Sequence, residues 1–134
     1  MTIFSHFSLQ KAIYELLTGD TALMNLITGV HDKVPENAQF PYVMIGDIAC
    51  ADWASKTTSG MECNALLTVY SREGGRRQAM QIMERLYALM HDADMGVDNH
   101  TLVMMRFASS AITLESDGET YRGMMRYKVL LQSA

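Results

Sequence analysis

TLVMMRFASSAITL (Thr101–Leu114), ESDGE (Glu115–Glu119) and TYRGMMRYKVLLQ (Thr120–Gln132) read in succession as a strand, a turn and a strand. Both long runs are rich in β-branched, aromatic and other apolar residues, and the Asp117-Gly118 pair between them supplies the positive-φ position of a hairpin turn. Alternation splits the second run into two faces. Tyr121, Gly123, Met125, Tyr127, Val129 and Leu131 fall on one side, and Arg122, Met124, Arg126, Lys128, Leu130 and Gln132 on the other. The first set belongs to a core and the second makes a basic face.

Working outward, a second strand pair precedes this hairpin. Tyr42–Ala49 and Gly60–Ser71 carry strand composition, and in the latter Cys63, Ala65, Leu67 and Val69 alternate with Glu62, Asn64, Leu66 and Thr68. The connection Asp52–Ser59 is polar, contains Trp53 and Lys56, and is longer than a tight turn requires, which predicts a projecting loop. Between the two pairs Ala79, Ile82, Met83, Leu86, Leu89 and Met90 form one helical stripe, opposite Arg77, Gln78, Gln81, Glu84 and Arg85. Near the start, Leu9, Ala12, Ile13, Leu16 and Leu17 predict an amphipathic helix over Ser8–Thr18, capped by Ser8 and stopped by Gly19. Asp20 is placed to cap a short second helix carrying Leu23, Met24 and Ile27, and Val30–Pro35 reads as a short extended piece. The expected fold is α+β: a four-stranded, mainly antiparallel sheet with helices on one face, in the order ααββαββ. No βαβ alternation supports a dinucleotide-binding fold.

A chain of 134 residues with two prolines and no repeat or linker is expected to form one domain over 1–134. Its 49% hydrophobic and 19% charged residues exclude wholesale disorder, and a net charge of −4 argues against phosphate neutralisation as its main work. The N-terminal MTIFSHFSLQ lacks a basic segment followed by an apolar run, so synthesis in the cytoplasm and no membrane partner are expected. Cys50 and Cys63 match no metal or redox spacing and are read as reduced, small, core-compatible residues.

A search for chemistry finds residues but no assembled motif. His6, His31, His91 and His100 could each act as a base, yet none sits in a nucleophile motif, and His91 closes a helix where an imidazolium would suit the dipole. His91, Asp92, Asp94 and His100 follow no metal-ligand spacing. No catalytic, cofactor-binding or metal site is therefore expected. Gly74-Gly75-Arg76-Arg77 resembles a phosphate cradle but fulfils neither glycine-rich nucleotide motif. It reads instead as a strand-to-helix turn needing two glycines. Two arginines opposing the macrodipole predict a partner carboxylate and an interface.

His31-Asp32-Lys33-Val34-Pro35, Phe40-Pro41-Tyr42-Val43 with Ile45-Gly46, Asp52-Trp53 with Lys56, Ser71 with Gly74-Gly75-Arg76, Leu89–Ala93, Leu102-Val103 with Arg106-Phe107, and Asp117-Gly118 with Gly123 and Arg126 occur in order along nearly the whole chain. Together they resemble the tail-completion proteins of long-tailed phages, of the tail-terminator type also found in gene transfer agents and prophages. The chain departs from the family pattern at His31, where Tyr is expected, and at Ala54, where a hydroxyl residue is common.

The resemblance implies a structural virion protein made in the bacterial cytoplasm. It would form a ring, typically a hexamer, at the head-proximal end of the tail tube, stop tube growth and join the tail to the head. Implied partners are other copies of itself, the tail tube protein and a head–tail connector or stopper, with DNA only passing through the lumen. No catalytic residue or cofactor is implied. A small hydrolase and a nucleic-acid module using the basic strand are the competing classes. Candidate interface residues are Trp53, Lys56, Arg76, Arg77, Arg122, Arg126 and Lys128, with Glu115, Asp117 and Glu119 as an acidic counterpart on a neighbour.

Overall fold

A computed structural model of the chain describes residues 5–53, 56–57 and 59–133. The elements run α1 (His6–Thr18), α2 (Thr21–Met24), β1 (Val30–His31), β2 (Tyr42–Asp52), β3 (Gly60–Ser71), α3 (Arg77–Met90), β4 (His100–Leu114) and β5 (Tyr121–Ser133). The sheet has five strands, in the order β1-β2-β3-β5-β4. Every pairing is antiparallel except β1 with β2, which places Val30 beside Val43 and His31 beside Met44. The expected four strands and ααββαββ order therefore become five strands and ααβββαββ. The added strand is the short extended piece, and two residues are too few to show a period; the neighbouring β2 makes them a strand.

Local signals set most element ends. Asp20 accepts a hydrogen bond from the Leu23 amide at 2.8 Å and caps α2, which lasts a single turn and leaves Ile27 beyond it. Helix α1 begins two residues earlier than Ser8 predicts, because the Leu9 amide reaches the Ser5 carbonyl at 2.9 Å. Strand β2 continues past Ala49 to Asp52, and the Trp53 amide donates to the Gly60 carbonyl at 2.8 Å, closing the base of the following loop. Of that loop, Ala54, Ser55 and Thr58 lie outside the described residues. In the turn before α3 only Gly74 has a positive φ, at 87°, so the turn needs one glycine rather than two.

Both long helices lie on one face of the sheet. Leu9, Ile13 and Leu17 of α1 and Ile82, Leu86 and Met90 of α3 join Val43, Ile45, Leu67, Val69, Tyr127 and Val129 in one hydrophobic cluster. Helix α3 packs tightly on β5 at Gly123, where a Cβ would stand 2.5 Å from the Met83 sulfur. Cys50 and Cys63 are direct cross-strand neighbours on this core face, with Cα atoms 4.1 Å apart, and are joined as a disulfide. This corrects the expectation of two reduced thiols. Their spacing in sequence carried no signal, whereas the β2/β3 register sets them face to face.

A candidate assembly surface

The turn of the last hairpin is held by its own side chains. Asp117 accepts from the amides of Glu119 (2.9 Å) and Thr120 (2.8 Å) and from the Thr120 hydroxyl (2.6 Å). These bonds, led by that of the hydroxyl, lower the Asp117 carboxyl to about 2. Gly118 takes φ 75°, as the Asp-Gly signal predicts. Arg72 gathers the acids of this turn, lying 3.6 Å from Asp117 and 3.3 Å from Glu119, and stacks over Phe40 at 4.2 Å. Arg122 lies 3.8 Å from Glu115. Thus Glu115, Asp117 and Glu119, predicted to serve a neighbour, already have cationic partners within the chain.

The alternation read along β5 holds. Its basic set lies on the sheet face opposite the helices, in register with Tyr70, Thr68, Leu66, Asn64 and Glu62 of β3. Lys128 pairs with Glu62 at 2.8 Å, while Arg126 has no carboxylate partner among the described residues and borders a hollow with Asp47, Asn64 and Ala108. Arg76 and Arg77 sit on the helical side. Arg76 places its guanidinium 5.2 Å from the Tyr121 ring, and neither arginine forms an ion pair among the described residues. The two halves of the predicted basic patch therefore occupy opposite sheet faces. Trp53 is 37% exposed and Lys56 is exposed, both in the β2–β3 loop.

His31, His91 and His100 are held by contacts within the fold. His100 is buried, with its ring 2.9 Å from the Ser5 hydroxyl and 2.7 Å from the Asp98 carbonyl. His91 accepts the Phe107 amide through Nδ1 at 3.2 Å and stacks on Tyr87. This bond links the end of α3 to β4, and the His91 ring also lies 3.4 Å from the Asp92 carboxylate. His31 sets its ring edge-on to Tyr42. Among the described residues, no three His, Cys, Asp or Glu side chains are grouped to hold a metal ion, and no helix is long and apolar enough to cross a membrane.

Two features escaped the sequence. One is a bidentate pair in which Arg85 donates from Nε (2.8 Å) and Nη2 (2.7 Å) to Asp20, joining the cap of α2 to α3. The other is an apolar groove of about 650 Å³ between α3 and β4, walled by Met80, Met83, Tyr87, Phe107, Ile112 and Met125. The exposed Met80 and Tyr87 at i, i+7 were its only trace. Among the described residues the surface offers broad contact area, edge strands and scattered charge, with no grouped metal-ligating side chains.

A protein of this build is suited to assembly, and comparison with known proteins agrees. The model of the family "Tail completion protein gp17" matches residues 11–132. The chain belongs to this tail-completion family. It is 23% identical over 128 residues to the tail completion protein gp17 of Bacillus phage SPP1, covering 94% of this chain and 93% of that protein. Among solved structures, it superposes on a chain of the virion of a native gene transfer agent particle with a TM-score of 0.85 at 23% identity, covering 93% of this chain and 95% of the other. The structure of bacteriophage SPP1 gp17 matches at a TM-score of 0.63 and 22% identity, over 91% of this chain and 87% of that one. The family is a structural one, and membership gives the chain a structural role in a phage-type tail and a place in the virion. The ordered motifs from His31 to Arg126 pointed to this family correctly.

Proposed function

We propose that this chain, acting as one domain, forms a closed homo-oligomeric ring, a hexamer, at the head-proximal end of the tail tube. There it ends tube growth and joins the tail to the head connector. The observation that carries the reading is the family match over residues 11–132, nearly the whole chain. The absence of an assembled catalytic motif in the sequence and the adhesive character of the surface support it. In this reading Trp53 and Lys56 of the β2–β3 loop and Arg76, Arg77 and Arg126, which form no ion pair among the described residues, meet neighbours, while Arg122, Lys128 and Glu119 keep their partners within the chain. DNA passes through the lumen without specific readout. Electron microscopy of tails assembled with and without the protein tests the function. Tubes of unregulated length that fail to join heads are expected in its absence; headed tails of normal length would refute it.

A further inference from the structure

Among the described residues, the sheet ends in two open edges. Strand β4 pairs with no strand but β5, although it is 15 residues long, has no proline or lysine, and carries Arg106 as its sole permanently charged side chain; on its outer side the Met105 carbonyl accepts from the Asp92 amide and the Phe107 amide donates to His91, which leaves residues 109–114 open. At the opposite edge β1 covers only Val43 and Met44, so that Ile48–Asp52 of β2 is open. The only charges on β2 are Asp47 and Asp52. A long edge with so little charge is a template for another strand, and proteins normally blunt or cover such edges.

The helices beside the two edges are also complementary. Next to β4 lies the apolar groove under Met80 and Tyr87. Next to β2, helix α1 presents Phe7 and Tyr14 near Asp32, Ile45 and Asp47, and Phe7 is 74% exposed. One end of the molecule thus offers an aromatic knob, an acidic strand and an open edge. The other offers an apolar groove and an open edge, its Arg106 lying 3.9 Å from Asp92 of the same chain.

We infer that the β2 edge of one copy pairs with the β4 edge of the next, seating Phe7 of the incoming copy in the groove between α3 and β4. The inference rests on the ring reading and names its interface. Three successive antiparallel pairings, β2/β3, β3/β5 and β5/β4, make β4 run opposite to β2 within one copy. Rotation about a ring axis leaves a neighbour's β2 running nearly as one's own, so the new pair is antiparallel, the geometry that bonds best. The continued sheet keeps all helices on one side, which delivers the incoming α1 beside α3, where the groove opens. A register with Ile48 opposite Ile112 sets two residues of the helical side together, beside the groove and clear of Asp92 and His91. The contact is heterologous, and its repetition closes a ring.

The test uses two surface variants of the full chain, Phe7→Asp and Met80→Asp, with far-UV circular dichroism to check the fold. By native mass spectrometry of purified protein and of complexes released from tails, each alone should associate more than roughly tenfold more weakly than wild type. Mixed one to one, they should stop at a dimer, because only one groove and one knob remain usable. Wild-type rings that persist in all these variants would overturn the interface and leave the ring reading standing. Loss of tail binding with ring mass intact would assign the groove to the tube protein and also overturn it. A wild-type protein that is monomeric both in solution and on tails would overturn both.

Discussion

Replacing Gly123 with Ala probes the packing of α3 on the sheet. The added Cβ would stand 2.5 Å from the Met83 sulfur, 3.3 Å from its Cγ and 3.4 Å from its Cε, between Val69 and Ile112 on the neighbouring strands. Ordinary contact needs about 3.5–4 Å, so the sulfur must retreat by about 1 Å. Met83 is flexible and borders the open groove, which holds the strain near the lower part of the usual range for overpacking, about 1–3 kcal/mol. Removing a glycine also restricts the unfolded chain, which offsets about 0.4–1 kcal/mol. The expected net loss is about 0.5 kcal/mol, or a fall in urea midpoint of about 0.25 M at a typical slope of about 2 kcal/mol per M. Met83→Ala alone should cost about 2–3 kcal/mol for the cavity. In the double variant the new methyl enters the vacated space, so the combined loss should fall below the sum by about 1 kcal/mol. A midpoint unchanged or raised in Gly123→Ala, or strict additivity in the double variant, would refute the packing argument.

Asp20→Ala removes both the α2 cap and the Arg85 anchor and should lower stability by about 1–2 kcal/mol in urea titration, with Asp20→Asn recovering part of it through the cap. Tyr127 is fully buried with no hydrogen-bond partner for its hydroxyl among the described residues, and burial pushes that phenol well above its ordinary value; Tyr127→Phe should therefore retain or raise stability, by up to about 1 kcal/mol in urea titration. Because the Asp117 carboxyl is lowered from 3.8 to about 2, its contribution is complete above pH 3.8 and is lost as pH falls toward 2. Asp117→Asn should flatten the pH dependence of thermal unfolding in that window, and an unchanged slope there would count against the turn assignment. Trp53 fluorescence should shift to the blue when the ring meets the tube; a spectrum already blue and unchanged on assembly would mean that the ring is sequestered in the free subunit.

The elements were legible where their information is local. Periods of two and of three to four residues marked β3, β5, α1 and α3, and Asp20 and Asp117-Gly118 announced their cap and turn, because each of these signals acts over a few neighbouring residues. The order of short motifs from His31 to Arg126 was enough to indicate the family. Tertiary structure decided what depends on neighbours distant in sequence. Strand β1 exists because Val43 and Met44 lie beside it, and Cys50 meets Cys63 because of the β2/β3 register. On β4, irregularities between Leu102 and Met104 and between Phe107 and Ser109 shift the alternation twice, so Leu102, Met105, Phe107, Ser110 and Ile112 share the helical side although no single period links them. For the candidate surface, the sequence supplied the basic alternation along β5, but only the fold placed Arg76 on the opposite face from Arg126, turned Glu119 toward Arg72 and opened a groove beside an unpaired strand. Charge and hydrophobicity are properties of residues and can be read along a chain; which of them remain free is settled by the partners that folding brings to each.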